Sequence, residues 1–193
     1  MEIDQFISAL EKIFPLTKEA IRDLYPIMEV THLDRNEYLV RAGSRVHFCF
    51  GLVEGVIRVF YDRDGNEYNK TFFVPGMFPT PLTALLTGDP CLLSFQALSP
   101  CKLVRFSYRR FRDLFDLHRC LESLMLRIME QVWIDKEKHD IEMVTNDATN
   151  NYLIFREEYP GLESLIPQYH IASYLGITPI QLSRIRAQLA RAN

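Results

Sequence analysis

The sequence has no CxxC pair and no Cys/His ligand spacing. Its four cysteines, Cys49, Cys91, Cys101 and Cys120, stand far apart. Neither a zinc site nor a disulfide framework follows from such a pattern, and buried reduced thiols are expected. There is no leader-like N-terminus and no apolar run long enough to span a bilayer, so the expected location is the cytoplasm, with no membrane partner. A reducing compartment agrees with free thiols. His-x-His pairs are also missing. Only His32 and His47 fall in the strand-rich part, and no nucleophile–base pair accompanies them. A metal-dependent barrel oxygenase or isomerase would need such a set. The protein is therefore not expected to be an enzyme, and no catalytic residue, metal ligand or cofactor is assigned. Internal repeats and low-complexity stretches are absent.

The most informative absence is of acidic residues near the C-terminus. From residue 164 to 193 there is no Asp or Glu, whereas Arg184, Arg186 and Arg191 bring three positive charges. With a total net charge of −3, this leaves residues 1–163 at −6. Such asymmetry suits a small module facing a polyanion on an acidic body. A short tail that merely lacks acids would look the same from charge alone.

What is present describes a globular chain of 193 residues, 48% hydrophobic and 24% charged, able to bury a core. Phe6, Ile7, Leu10 and Ile13 recur at helical spacing, and Thr17 caps a second short helix with Ile21, Leu24 and Tyr25. From about Thr31 to Phe106 the period becomes that of strands: 37–40, 46–53, 56–61, 69–74, 93–98 and 102–106. Asp64-Gly65 marks a hairpin turn. Short regular strands of this kind predict an antiparallel barrel or roll.

Tyr108–Phe115 reads as a short helix. A single long helix follows from Leu117 to Val144, with no Pro or Gly and an apolar stripe of Leu117, Leu121, Leu124, Ile128 and Val132. A helix of that length measures about 42 Å. The stripe suits pairing with a second copy of the chain, or packing on the chain's own roll. Asn150–Tyr159 begins a compact helical tail.

Ile166–Ala192 carries the strongest local pattern. Pro167 opens a short helix with Ile171, Ala172 and Leu175, and Gly176 ends it. Ile177 is a buried anchor. Thr178-Pro179 is an N-cap followed by Pro at the first helical position, and Leu182, Ile185 and Leu189 point inward on the second helix. Two short helices joined by a Gly-containing turn form a helix-turn-helix pattern, which a plain helical hairpin shares.

These segments together resemble the Crp/Fnr family of bacterial transcription regulators, over nearly the whole chain. The resemblance rests on Ile171–Thr178 with Leu182–Ile185 in the tail, and on Val53–Val59, Asp62–Glu67, Val74–Phe78 and Phe106–Phe111 in the roll. It implies an α+β fold: an antiparallel β-roll (double-stranded β-helix, jelly-roll-like) with N-terminal helices, a long dimerisation helix and a small helix-turn-helix domain. The expected divisions are 1–116, a cyclic-nucleotide-binding-like sensor; 117–145, the dimerisation helix; and 146–193, the DNA-binding domain. DNA, a second copy, RNA polymerase and a small-molecule effector are the implied partners. The implied dimer interface is Leu117, Leu121, Leu124, Ile128 and Val132.

Departures from the family pattern narrow these expectations. The Gly-Glu pair of the cyclic-nucleotide site corresponds to Thr80-Pro81, and the phosphate-binding Arg-Ser pair falls near Cys91-Leu92. No Arg lies between Arg63 and Arg105, so cyclic AMP is not the expected effector. Met77, Phe78, Thr80, Thr83, Leu92 and Ser94 either line a pocket for an apolar or uncharged effector or form packed core. A base-reading role passes to Arg184, while two earlier reading positions hold Pro179 and Ile180, the latter suited to a thymine methyl. Tyr169, His170, Thr178, Gln181, Ser183 and Arg186 are the further DNA-contact candidates. The sequence stops at Asn193, and the reading therefore expects no β-hairpin wing after the second helix. The alternative function is a ligand-binding regulatory or interaction module that has lost DNA binding.

Overall fold

The computed structural model describes residues 1–192; Asn193, the last position of the expected 146–193 domain, lies outside the described residues. The chain divides into two compact units. The first comprises Met1–Val59 with Phe72–Trp133. The second comprises Phe60–Thr71 with the chain from Ile134 onward.

In the first unit, α1 (Glu2–Ile13) buries Phe6, Ile7 and Leu10, and α2 (Lys18–Leu24) follows. Thr17 Oγ1 accepts the Ala20 N–H at 3.2 Å, so the expected N-cap forms. Three strands make one antiparallel sheet in the order β1 (Met28–Leu33), β7 (Cys101–Ser107), β3 (Phe48–Glu54). The second sheet runs β2 (Tyr38–Val40), β6 (Ser94–Ala97), β4 (Ile57–Arg63), β5 (Asn66–Phe73). This is the antiparallel roll that the strand pattern predicts. Strand β1 was not among the expected strands. Its pairing with β7, Met28 opposite Phe106 through Leu33 opposite Cys101, supplies the ladder that holds it extended. Helix α3 (Leu82–Thr87), inside a segment read as loop, was also not expected; Gly88 closes it at φ +75.

Two apolar clusters fill the unit. One joins Phe6, Leu10 and Leu24 to Val104, Phe106, Phe111, Leu121 and Leu124. The other joins Leu52, Ile57, Val59, Phe95, Ala97 and Leu103 between the sheets. At Gly51 a side chain would collide with Phe6, whose Cε2 lies 1.9 Å from where a Cβ would stand. The missing side chain is therefore what lets α1 seat on β3. Ser107 caps α4 (Tyr108–Asp113). Cys49, Cys91 and Cys101 are buried free thiols and Cys120 is half-buried. Burial pushes the Cys49 thiol up to about 12, which leaves it unreactive near neutral pH.

Helix α5 (Arg119–Thr145) supplies its first half to the first unit and its second half, from Ile134, to the second. The second unit then contains α6 (Ala148–Glu158), capped by Asp147, and α7 (Gln168–Tyr174) and α8 (Pro179–Ala192). Its core is Tyr152, Phe155, Tyr159, Leu162, Ile166, Ile171, Tyr174, Leu175, Leu182 and Ile185. The tip of the β4–β5 hairpin belongs to this unit. Asp64 and Gly65 both take positive φ, +56 and +81, as a two-residue hairpin turn requires. None of the described helices is long and apolar enough to cross a membrane.

Candidate nucleic-acid interface

Helices α7 and α8 meet through a turn built by three local devices. Gly176 sits at φ +66, and its N–H and that of Ile177 return to the carbonyls of Ser173 and Ala172, closing the first helix. Thr178 Oγ1 then accepts the Gln181 N–H at 3.2 Å, while Gln181 Oε1 accepts the Thr178 N–H at 2.9 Å. This reciprocal capping box starts α8 at a fixed direction. Third, Leu182 is fully buried and Ile185 nearly so, against Ile171, Ala172 and Leu175 of the same unit.

At about 100° per residue, the side of α8 opposite Leu182, Ile185 and Leu189 carries Ile180, Arg184 and Ala187. Arg184 is exposed and Ile180 is 66% exposed. Ser183 is also exposed. Arg186 lies on a flank, where its charge acts on the Tyr152 hydroxyl. That hydroxyl donates to Glu163, and burial, ahead of this hydrogen bond, pushes it up to about 12. Tyr169 is exposed at the start of α7. Thr178 and Gln181 are at the surface, but the Thr178 hydroxyl and Gln181 Oε1 are engaged with each other.

His170 departs from its expected place. It is 3% exposed, and its carbonyl accepts from Asn69 Nδ2 at 3.2 Å, with the ring Nδ1 3.4 Å from the same atom. A side chain so enclosed offers no surface to DNA, and His170 is a joint within the unit instead. Its partners come from the β4–β5 hairpin, whose docking there the sequence reading missed. Ser173 Oγ accepts the Asn69 N–H at 3.0 Å and donates to the Glu67 carbonyl at 2.8 Å. Thr71 Oγ1 lies 3.1 Å from the Tyr159 hydroxyl. Within the second unit the Asn69 and Glu67 contacts tie the β4–β5 hairpin to α7 across about 100 positions of sequence. The Asp64-Gly65 turn announces the hairpin, but no local signal announces its docking.

Residues of the expected effector pocket take several roles. Thr80 Oγ1 bonds both the N–H and the carbonyl of Phe50, and Ser94 Oγ accepts the Ala42 N–H at 3.1 Å. Phe78 packs against the first core cluster. Met77, Thr83 and Leu92 are exposed, Leu92 at 74%. Although the loop itself contains no arginine, Arg45 reaches it from the β2–β3 connection and donates to the Gly88 carbonyl at 2.9 Å. Spacing along the chain could not show that approach. A hollow of about 410 Å³ opens in the second unit, beside Leu153, Arg156, Tyr159 and Glu163.

The expected dimer stripe is also redistributed. Leu121 and Leu124 are 0% and 1% exposed within the core of the first unit, and Ile128 packs against the same cluster. They cover this chain's own roll, because the first half of α5 lies against Phe106 and Phe111. Leu117 precedes α5 and is exposed, as is Val132. The apolar side chains left exposed further along the helix are Leu126, Trp133, Ile134, Ile141 and Val144. Among the described residues no group of three His, Cys, Asp or Glu side chains could hold a metal ion.

Residues 30–118 match the family model of the cyclic nucleotide-binding domain. No curated protein matches the chain. Among solved structures, the fold is similar to that of FixK2 from Bradyrhizobium japonicum (TM-score 0.72, 15% identity, 86% of each chain covered). It is likewise similar to the c-di-GMP responsive global regulator CLP of Xanthomonas campestris (TM-score 0.69, 15% identity, 91% of this chain and 93% of that one). A CooA variant from Carboxydothermus hydrogenoformans gives a TM-score of 0.69 at 14% identity, covering 92% of this chain and 87% of that one. Residues 30–118 thus match a cyclic nucleotide-binding domain, in a chain whose overall fold is similar to those of FixK2, CLP and the CooA variant.

Proposed function

We propose that the protein is a transcription regulator of the Crp/Fnr type that binds DNA as a homodimer, with α8 entering the major groove. The observation that carries this reading is the outward face of α8: Arg184 stands opposite the buried stripe, in a segment with no acidic residue from 164 to 193. An arginine so placed can fork onto O6 and N7 of guanine. Tyr169 and Ser183, together with the flanking Arg186, are suited to phosphate oxygens. A second copy would cover the exposed Leu126, Trp133, Ile134, Ile141 and Val144 of α5. Pairing there would set two recognition helices about 34 Å apart, one turn of DNA.

The test is a gel shift with duplexes selected from a random pool, comparing the native protein with Arg184→Ala. Loss of one bidentate contact should weaken binding by about tenfold or more and relax the preference for guanine at one position of each half-site. Absence of binding by the native protein, or equal binding by the variant, would refute the assignment.

A further inference from the structure

Resting on that reading, we propose that Ile180 recognises the 5-methyl group of a thymine, so that each half-site combines this thymine with the guanine held by Arg184. Ile180 is a large apolar residue held out in solvent, 66% exposed, in the first turn of a helix whose apolar contacts are already made by Leu182, Ile185 and Leu189. It contributes nothing to the core. Arg184 follows four positions later on the same face, about 6 Å further along the helix axis. That rise corresponds to about two base-pair steps of 3.4 Å.

The other first-turn positions have been withdrawn from base reading. Pro179 has no polar side-chain atom. A Gln would ordinarily pair with adenine through both ends of its amide. Here Gln181 Oε1 is occupied by the Thr178 N–H and hydroxyl, at 2.9 and 3.0 Å, so the capping box takes one of the two atoms that such a contact needs. On the side of the leading turn opposite the buried stripe stands Ile180, and it is apolar. Of the base edges in the major groove, only thymine offers an apolar group, its methyl. A protein partner would also accept an exposed isoleucine. The surrounding charge favours DNA: Arg184, Arg186 and Arg191 lie on the same helix with no carboxylate in the segment.

Deoxyuridine in place of thymine removes the methyl and leaves every hydrogen-bonding group intact, which makes it the direct probe. The full-length protein is used to select duplexes from a random pool at low salt. Affinity is then measured on the best duplex and on versions in which single thymines are replaced by deoxyuridine. One thymine per half-site should respond, with about fourfold weaker binding for each methyl removed. Ile180→Ala should bind the thymine and deoxyuridine duplexes equally at that position, while still requiring the guanine. Equal sensitivity of native protein and Ile180→Ala, or no sensitive thymine at all, overturns the assignment while leaving DNA binding in place. Failure to select any duplex removes the DNA-binding reading itself, and the two failures are distinguishable by that step.

Discussion

Replacing Ser173 with alanine removes the acceptor of the Asn69 N–H, at 3.0 Å, and the donor to the Glu67 carbonyl, at 2.8 Å. Asn69 is 7% exposed, so water does not readily take over its side of the joint. Depriving a buried backbone group of its partner costs about 1–3 kcal/mol. Asn69→Ala attacks the same joint from the other side, removing the Nδ2 donor to the His170 carbonyl. The loss should be local. The hairpin meets the helices of the second unit through these polar contacts and through Thr71 with Tyr159, while β1, β7 and β3 are paired along their length. Native-state hydrogen exchange reads this directly. A destabilisation of about 1.4 kcal/mol accelerates exchange roughly tenfold where opening is local. In Ser173→Ala, amides of residues 66–70 should exchange about tenfold faster than in the native protein, while those of Val104 and Leu103 stay unchanged. The double variant with Asn69→Ala should add less than the sum of the two, since each change releases the same hairpin. If hairpin exchange is unaltered in both single variants, the tie does not hold the hairpin.

Two further outcomes test the first unit. Gly51→Ala should cost about 1–3 kcal/mol in urea unfolding because its Cβ would overlap Phe6, and Phe6→Ala alone should cost about 3–5 kcal/mol; the double variant should cost clearly less than their sum, and strict additivity would show that α1 does not seat on β3 as described. At the start of α5, His118 Nε2 donates to Asp23 Oδ2 at 2.8 Å, and this bond, ahead of Arg22, holds the Asp23 carboxyl below its ordinary range. A carboxylate lowered on folding contributes stability above its unfolded value and loses it as pH falls through the folded one. Asp23→Asn should therefore lower Tm near neutral pH, with the difference from the native protein vanishing as the Asp23 carboxyl of the folded protein becomes protonated at low pH; a difference that persists in fully acidic solution would contradict the pairing.

Local chemistry made the pair of helices α7 and α8 legible. Thr178-Pro179, Gly176 and the spacing of Leu182 and Ile185 act within a few residues, and cap, turn and buried stripe all form where the pattern places them. The roll was legible as a class for the same reason, since alternating β-branched and aromatic runs fit a half-buried pleated surface. Strand β1 and helix α3 were not: one depends on β7 for its ladder and the other lacks a capping side chain.

Sequence alone determined most of the elements and their order, β1 and α3 excepted, together with the capping of α8 and the concentration of positive charge on the last helix. Each of those follows from neighbours a few positions apart, through dihedral preference, short-range hydrogen bonds or charge. Which surfaces those elements cover was decided only in three dimensions. Leu121 and Leu124 belong to a periodic stripe that fits a partner helix or a sheet equally well, and packing against Phe106 and Phe111 settled which. His170 reads as a polar surface residue until Asn69 arrives from 101 positions away. Arg45 enters the loop before β6 from outside its own stretch of chain. The physical reason is common to all three: a side chain's accessibility is a property of what the rest of the chain leaves uncovered, and periodicity records only which side of its own element it occupies.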